Sequence, residues 1–123
     1  MPQKLIEKAW KPEDIYCVKI YLPKRLRYLP ELYEFLRRTL GERKGCIVLD
    51  GFSIYEVDGA FRGKKDIWEE RSLVIRLLLP RSSEEADEHR VVDIGREIAG
   101  NVAPGEEEIW ITYYPQQVAK FRR

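Results

Sequence analysis

Residues 67–79, IWEERSLVIRLLL, read as one long strand with two dissimilar faces. Leu73, Ile75, Leu77 and Leu79 fall on one side, and Trp68, Glu70, Ser72, Val74, Arg76 and Leu78 on the other, because successive side chains of a strand point to opposite faces. Only the first face is uniformly apolar. The second must meet water, another subunit or a ligand.

Working outward, residues 46–61, CIVLDGFSIYEVDGAF, are rich in β-branched and aromatic residues and form a second strand, with a bulge or bend expected at Asp50 and Gly51 and another irregularity at Gly59. The segment RGKKD, 62–66, is the turn joining it to the long strand, so the two make an antiparallel hairpin. Pro80 closes the long strand. Ser82 and Glu85 have the spacing of a capping box, which opens a helix running to about Gly100 with Val91, Ile94, Ile98 and Val102 as its apolar stripe and Gly95 allowing close approach to the sheet.

Upstream, Asp14 to Leu22 alternates Tyr16, Val18, Ile20 and Leu22 against Ile15, Cys17, Lys19 and Tyr21, a strand ended by Pro23. Pro30 suits the first turn of a helix running to about Leu40, with Leu29, Leu32, Phe35, Leu36 and Leu40 on its apolar side and Gly41 as its stop. Residues 107–114, EEIWITYY, alternate Ile109, Ile111 and Tyr113 against Trp110, Thr112 and Tyr114, giving a last strand broken by Pro115. The tail QQVAKFRR is expected to be a short extra strand or an arm.

This order, β-α-β-β-α-β, predicts an α+β fold of the ferredoxin-like split βαβ kind, an antiparallel sheet with two helices on one face. The 123 residues are read as a single domain, with 1–13 a polar lead-in and 115–123 a tail. The helix-covered face gathers Val18, Ile20, Leu73, Ile75, Leu77, Ile109 and Ile111 against Leu32, Leu36, Ile94 and Ile98. The opposite face collects Cys17, Lys19, Tyr21, Tyr55, Glu70, Ser72, Arg76, Trp110, Thr112 and Tyr114. So much aromatic area on an open face predicts self-association as a dimer or trimer.

The composition narrows the function classes. The chain is 44% hydrophobic and 35% charged, with three Trp, seven Tyr and four Phe, enough for a packed core. Its 22 Lys plus Arg nearly cancel 21 Asp plus Glu, which argues against a generic polyanion binder. The high Glu, Lys and Arg content resembles that of heat-adapted proteins. Cys17 and Cys46 sit in apolar runs without thiol-pair or zinc spacing and read as buried free thiols. No stretch approaches the roughly 18 apolar residues that span a bilayer, and no signal-type apolar segment opens the chain, so a cytoplasmic protein without a membrane partner is expected.

No catalytic residue, metal ligand set or cofactor is assigned. His89, the single histidine, has Glu85 one turn before it, but two ligands do not make a metal site, and the segment EEADEHR around them reads as a solvated helix face. No nucleophile elbow is present. The loop 59–65, GAFRGKK, offers Arg62, Lys64 and Lys65 as an anion cradle but has no P-loop pattern. The ligand or interface candidates are therefore those of the second face: Tyr21, Tyr55, Trp68, Glu70, Ser72, Arg76, Trp110 and Tyr114. An enclosed version of that face would make a barrel enzyme with Glu70, Arg76 and Tyr114 as its polar groups. Base stacking on the aromatics would make a single-strand binder, although ERSLVIRL departs from the RNA-recognition pattern and nucleic acid ranks behind self-association.

From Ser53 to Pro80, SIYEVDGAFRGKKDIWEERSLVIRLLLP, the hairpin resembles that of the CutA divalent-cation tolerance family, with Cys46, Ser53, Ile54, Tyr55, Gly59 and Glu70 at matching positions. About a quarter of the chain is covered. The resemblance implies a small ferredoxin-like trimer, like CutA and the related PII signal proteins, which use intersubunit clefts and long hairpins for ligands or metals. The C-terminal EEIWITYYPQQVAKF lacks the H-P-Y-x-x-P-E segment of CutA and the glycine-rich phosphate elements of PII, so metal and nucleotide roles do not carry over. The hairpin with a Gln-x-V-like terminal strand is also similar to an uncharacterised small bacterial α+β family.

Overall fold

The structure, a computed structural model, describes residues 10–39, 49–62 and 66–121. Four strands, β1 (Trp10–Pro23), β2 (Gly51–Arg62), β3 (Ile67–Pro80) and β4 (Trp110–Phe121), form one sheet in the order β2-β3-β1-β4 with every neighbouring pair antiparallel. Helix α1 (Leu29–Thr39) follows a 3-10 turn at Leu26–Tyr28, and α2 (Glu84–Glu97) runs on into a π turn at Ile98–Val102. The split βαβ arrangement is thus present.

Both helices lie on one side because the apolar residues do. Tyr16, Val18, Ile20 and Leu22 of β1 face Leu79, Leu77, Ile75 and Leu73 of β3 across the ladder, and all eight are buried. Against them pack Leu32, Phe35 and Leu36 of α1, Ile94 of α2, and Ile98 and Val102 of the π turn. Gly95 belongs to the same contact. A Cβ there would stand 3.2 Å from the Ile111 side chain, so glycine permits the approach of α2 to β4.

Several expectations are corrected. The helix α2 cap is Ser83, not Ser82: the Ser83 hydroxyl accepts from the Ala86 N–H at 3.1 Å, and Ser82 instead donates its N–H to Asp87. Pro115 does not end the last strand. It lies within β4, opposite Tyr16, and because β4 is an edge strand a missing N–H on the outer side breaks no ladder. The tail is accordingly the second half of β4, with Gln117 to Phe121 pairing back to Trp10–Asp14, so the lead-in from Trp10 is strand as well. Gly59 causes no irregularity, since β2 and β3 stay in one register from Gly51 opposite Leu78 to Arg62 opposite Ile67. The bend expected at Asp50 is there, just before β2, where the Asp50 N–H donates to the Leu78 carbonyl at 2.8 Å. Cys46, Gly41 and Leu40 lie outside the described residues.

The largest departure concerns EEADEHR. Asp87, only 1% exposed, is the anchor of the β3–α2 corner rather than part of a solvated face. Its carboxylate accepts from Arg81 Nε at 3.1 Å, from the Ser82 N–H at 3.1 Å and from Arg90, whose guanidinium also donates to the Pro80 carbonyl at 2.6 Å. Near the corner, Arg81 lies over the Tyr16 ring. Burial, then the neighbouring Tyr113, Asp87 and Glu88, push the Tyr16 phenol above its ordinary pKa.

Two outcomes follow from that corner. Asp87→Ala is expected to cost at least about 2 kcal/mol in urea unfolding, because it strands the Arg90 guanidinium in a buried setting. A phenol whose folded pKa is raised contributes stability that is complete below about pH 10 and is lost as pH rises through the folded value. Tyr16→Phe should therefore flatten the alkaline fall in melting temperature above about pH 10, as read by circular dichroism.

Candidate functional site

The ladder register assigns the helix-free face without ambiguity, because residues directly opposite one another share a side. Across the sheet from β2 to β4 run Ser53, Arg76, Lys19 and Thr112 in one row, and Tyr55, Val74, Tyr21 and Trp110 in the next. A third row holds Gly51, Leu78, Cys17 and Tyr114. The expected members of this face are all on it.

Burial within the face is uneven. Cys17 and Val74 are inaccessible (0% and 1%), whereas Tyr55, Trp110 and Tyr114 stand 36–40% exposed around them. The apolar floor is roofed by the face's own long side chains. Arg76 Nη2 donates to Gln116 Oε1 at 3.3 Å, bridging from β3 to β4 over the β1 strand between them, and Cys17 lies between the rows these two residues occupy. Lys19 Nζ lies 5.7 Å from the centre of the Tyr114 ring. Tyr55 first, then Tyr114, hold the Lys19 ammonium above the usual lysine range.

The candidates do not form one cluster. Arg76, Tyr55, Tyr21, Trp110 and Tyr114 gather around Lys19, but Glu70 is six residues from Arg76 along β3, about 20 Å away, and sits opposite Gly59 on the projecting part of the hairpin. Within one chain, therefore, Glu70 stands apart from Arg76 and Tyr114. The Trp68 backbone pairs with Phe61 farther out still; its side chain, like Lys64 and Lys65 of the anion loop, lies outside the described residues. Arg62 ends β2, is exposed, and falls on the opposite side of the ribbon. Ser72 is 1% exposed and its hydroxyl has no hydrogen-bond partner among the described residues.

Near the hairpin base the charges are neutralised in pairs: Arg71 with Asp58 at 3.1 Å and with Glu56 at 3.6 Å, Lys24 with Glu56 at 2.7 Å, and Arg25 with Glu106 at 3.6 Å. The exposed pairs contribute little to stability. His89 and Glu85 are both exposed, 3.9 Å apart, beside an open hollow of about 630 Å³ at the start of α2. Among the described residues no three His, Cys, Asp or Glu side chains are placed to hold a metal, and no helix is long and apolar enough to cross a membrane. What sequence reasoning missed is the role of Lys19 as the centre of the face, which its direct opposition to Arg76 makes visible only once the register is known.

No protein-family model matches the sequence, and no curated protein matches it. Solved structures of similar fold exist. A point variant of CutA1 from Pyrococcus horikoshii aligns over 80% of each chain with a TM-score of 0.52 at 11% identity. A phage SAM lyase in complex with S-methyl-5'-thioadenosine aligns over 88% of this chain and 90% of its own, TM-score 0.57, at 13% identity. CPII, a nitrogen regulatory PII-like protein from Thiomonas intermedia, aligns over 88% of this chain and 98% of its own, TM-score 0.51, at 15% identity. The chain is similar in fold to CutA1 and to CPII.

The orphaned hydroxyl gives a stability test. Ser72→Ala removes a buried polar atom that makes no hydrogen bond, so unfolding free energy should be unchanged or rise by up to about 1 kcal/mol. A loss above about 1 kcal/mol in urea unfolding would mean that the hydroxyl has a partner.

Proposed function

We propose that this chain is a small binding or regulatory module that associates with copies of itself through the helix-free face of its sheet. The observation that carries the reading is the ring of Tyr55, Trp110 and Tyr114, exposed on a face whose centre, Cys17 and Val74, is already free of solvent. Aromatic side chains around a desolvated centre are what a contact surface presents, and a solvated sheet face would alternate polar residues instead.

The part of β3 paired on both sides, Ser72–Leu78, spans about 23 Å and four strands about 19 Å, so the four-stranded centre projects roughly 440 Å² before side-chain relief and the two-stranded arms are counted. Stable interfaces bury about 800 Å² per partner. One fold neighbour with a regulatory name, the PII-like CPII, agrees with a regulatory module, while the lyase neighbour is a reminder that the same fold also supports catalysis.

Light scattering behind size-exclusion chromatography tests this. The native chain should run as a dimer or trimer at micromolar concentration, and the double variant Trp110→Glu, Tyr114→Glu as a folded monomer. Tyr33→Glu, on an exposed position of α1, should leave the assembly intact. A native chain that stays monomeric at micromolar concentration would overturn the proposal.

A further inference from the structure

Lys19 and Arg76 stand directly opposite one another on β1 and β3, at the centre of the helix-free face. Like charges in that relation repel. Six other cations, Lys24, Arg25, Arg38, Arg71, Arg81 and Arg90, each have a carboxylate within 4.0 Å. Neither Lys19 nor Arg76 has one among the described residues. The hydrogen-bond partner of Arg76 is the neutral amide of Gln116, and Lys19 rests against the Tyr114 ring. The carboxylates of the face that are described, Glu13 and Glu70, belong to its two far ends, each six residues along its strand from Lys19 or Arg76.

We propose that Lys19 and Arg76 together form a binding site for the oxyanion, carboxylate or phosphate, of a small molecule whose flat ring stacks on the surrounding aromatics. Charge complementarity selects the anion. A guanidinium offers a planar fork of N–H donors and an ammonium a mobile point charge, and side by side they can hold two oxygens of one group. The rings of Tyr55 and Tyr114 flank the cations and supply the stacking surface, with Trp110 one row away. A lysine and an arginine are both charged at neutral pH, and Tyr55 and Tyr114 raise the Lys19 pKa further. The inference builds on the same face as the proposed self-association and refines it. Copies meeting face to face would bring further Lys19 and Arg76 cations together, and an oxyanion between them would relieve that repulsion.

Calorimetric titration of the full chain with phenyl phosphate, benzoate, inorganic phosphate and phenol separates the parts of the claim, with light scattering on the same samples. Phenyl phosphate or benzoate should bind more tightly than inorganic phosphate, which lacks the ring, and phenol should not bind measurably; whichever of the two anions is tighter names the source. Lys19→Met and Arg76→Met should each weaken that binding at least about tenfold, while Arg62→Met, on the other side of the sheet, should not. Thermal melts check that each variant is folded, and Arg76→Lys, which keeps the charge without the fork, should retain part of the affinity. Binding to a monomeric chain would support the anion site and remove the self-association reading. Assembly without binding of any of the anions, or binding indifferent to Lys19→Met and Arg76→Met, would overturn the site and leave the assembly standing.

Discussion

The register of β1 against β3 is the constraint on which the rest of the molecule depends. Tyr16 opposite Leu79 through Leu22 opposite Leu73 places eight buried side chains under the helices. A slip of one residue would turn Cys17, Lys19 and Tyr21 toward the core and expose Val18, Ile20 and Leu22. Each aliphatic side chain returned to water would cost about 1.5–3 kcal/mol, so the three together would cost an amount comparable to the whole stability of an ordinary domain. The registers of β4 on β1 and of β2 on β3 carry the same division of faces out to the sheet edges. The composition of the helix-free face is therefore a by-product of core packing, and its chemistry is free to vary within that frame.

Charge is handled in opposite ways on the two sides. At the β3–α2 corner, Asp87 is buried with two arginines and a backbone N–H around it, an arrangement in which every oxygen of the carboxylate is engaged. Leaving that group unpaired in so buried a place would cost several kcal/mol, which is why the corner is closed. On the helix-free face, Lys19 and Arg76 sit half-buried and opposed, Lys19 among tyrosine rings and Arg76 on the Gln116 amide, with no carboxylate within 4.0 Å among the described residues. Partial solvation makes that tolerable. It also lets an incoming anion gain interaction there without displacing an internal carboxylate.

The two faces of the sheet were legible in the sequence because a period of two is a strong signal and depends on nothing beyond the strand itself. The Val91 to Val102 stripe and Gly95 were readable from the helical period, which is equally local, and the pairing of β2 with β3 from their closeness in the chain. What was not readable depends on pairing in space. Pro115 reads as a strand end until β4 is known to lie at the sheet edge, where a proline costs no ladder bond. The cap falls on Ser83 and not on Ser82 because Asp87 claims the Ser82 N–H, a choice between adjacent serines that spacing alone cannot make. Asp87 itself looks like one acid among many in EEADEHR, and its burial comes from the chain reversing at Pro80 so that Arg81 and Arg90 converge on it. How the candidates group also depends on pairing in space: Glu70 shares a side with Arg76 but not a place, since the β2–β3 ribbon extends beyond the end of β1.

That ribbon has a counterpart. β3 outruns β1 at one end, where Ile67–Arg71 pairs only with β2, and β1 outruns β3 at the other, where Trp10–Asp14 pairs only with β4. The molecule thus has a four-stranded centre with a two-stranded arm at each of two diagonal ends. An isolated two-stranded ribbon is marginal in water, because neither of its faces is covered. Arms of this kind are stable when something lies against them, and they lie in continuation of the helix-free face. A second copy that covers the aromatic centre would meet the arms as well, so one contact would answer both the exposed rings of Tyr55, Trp110 and Tyr114 and the weakness of the ribbons. Fold likeness at 11–15% identity does not decide this for the chain; the register and the residues it brings to that face do.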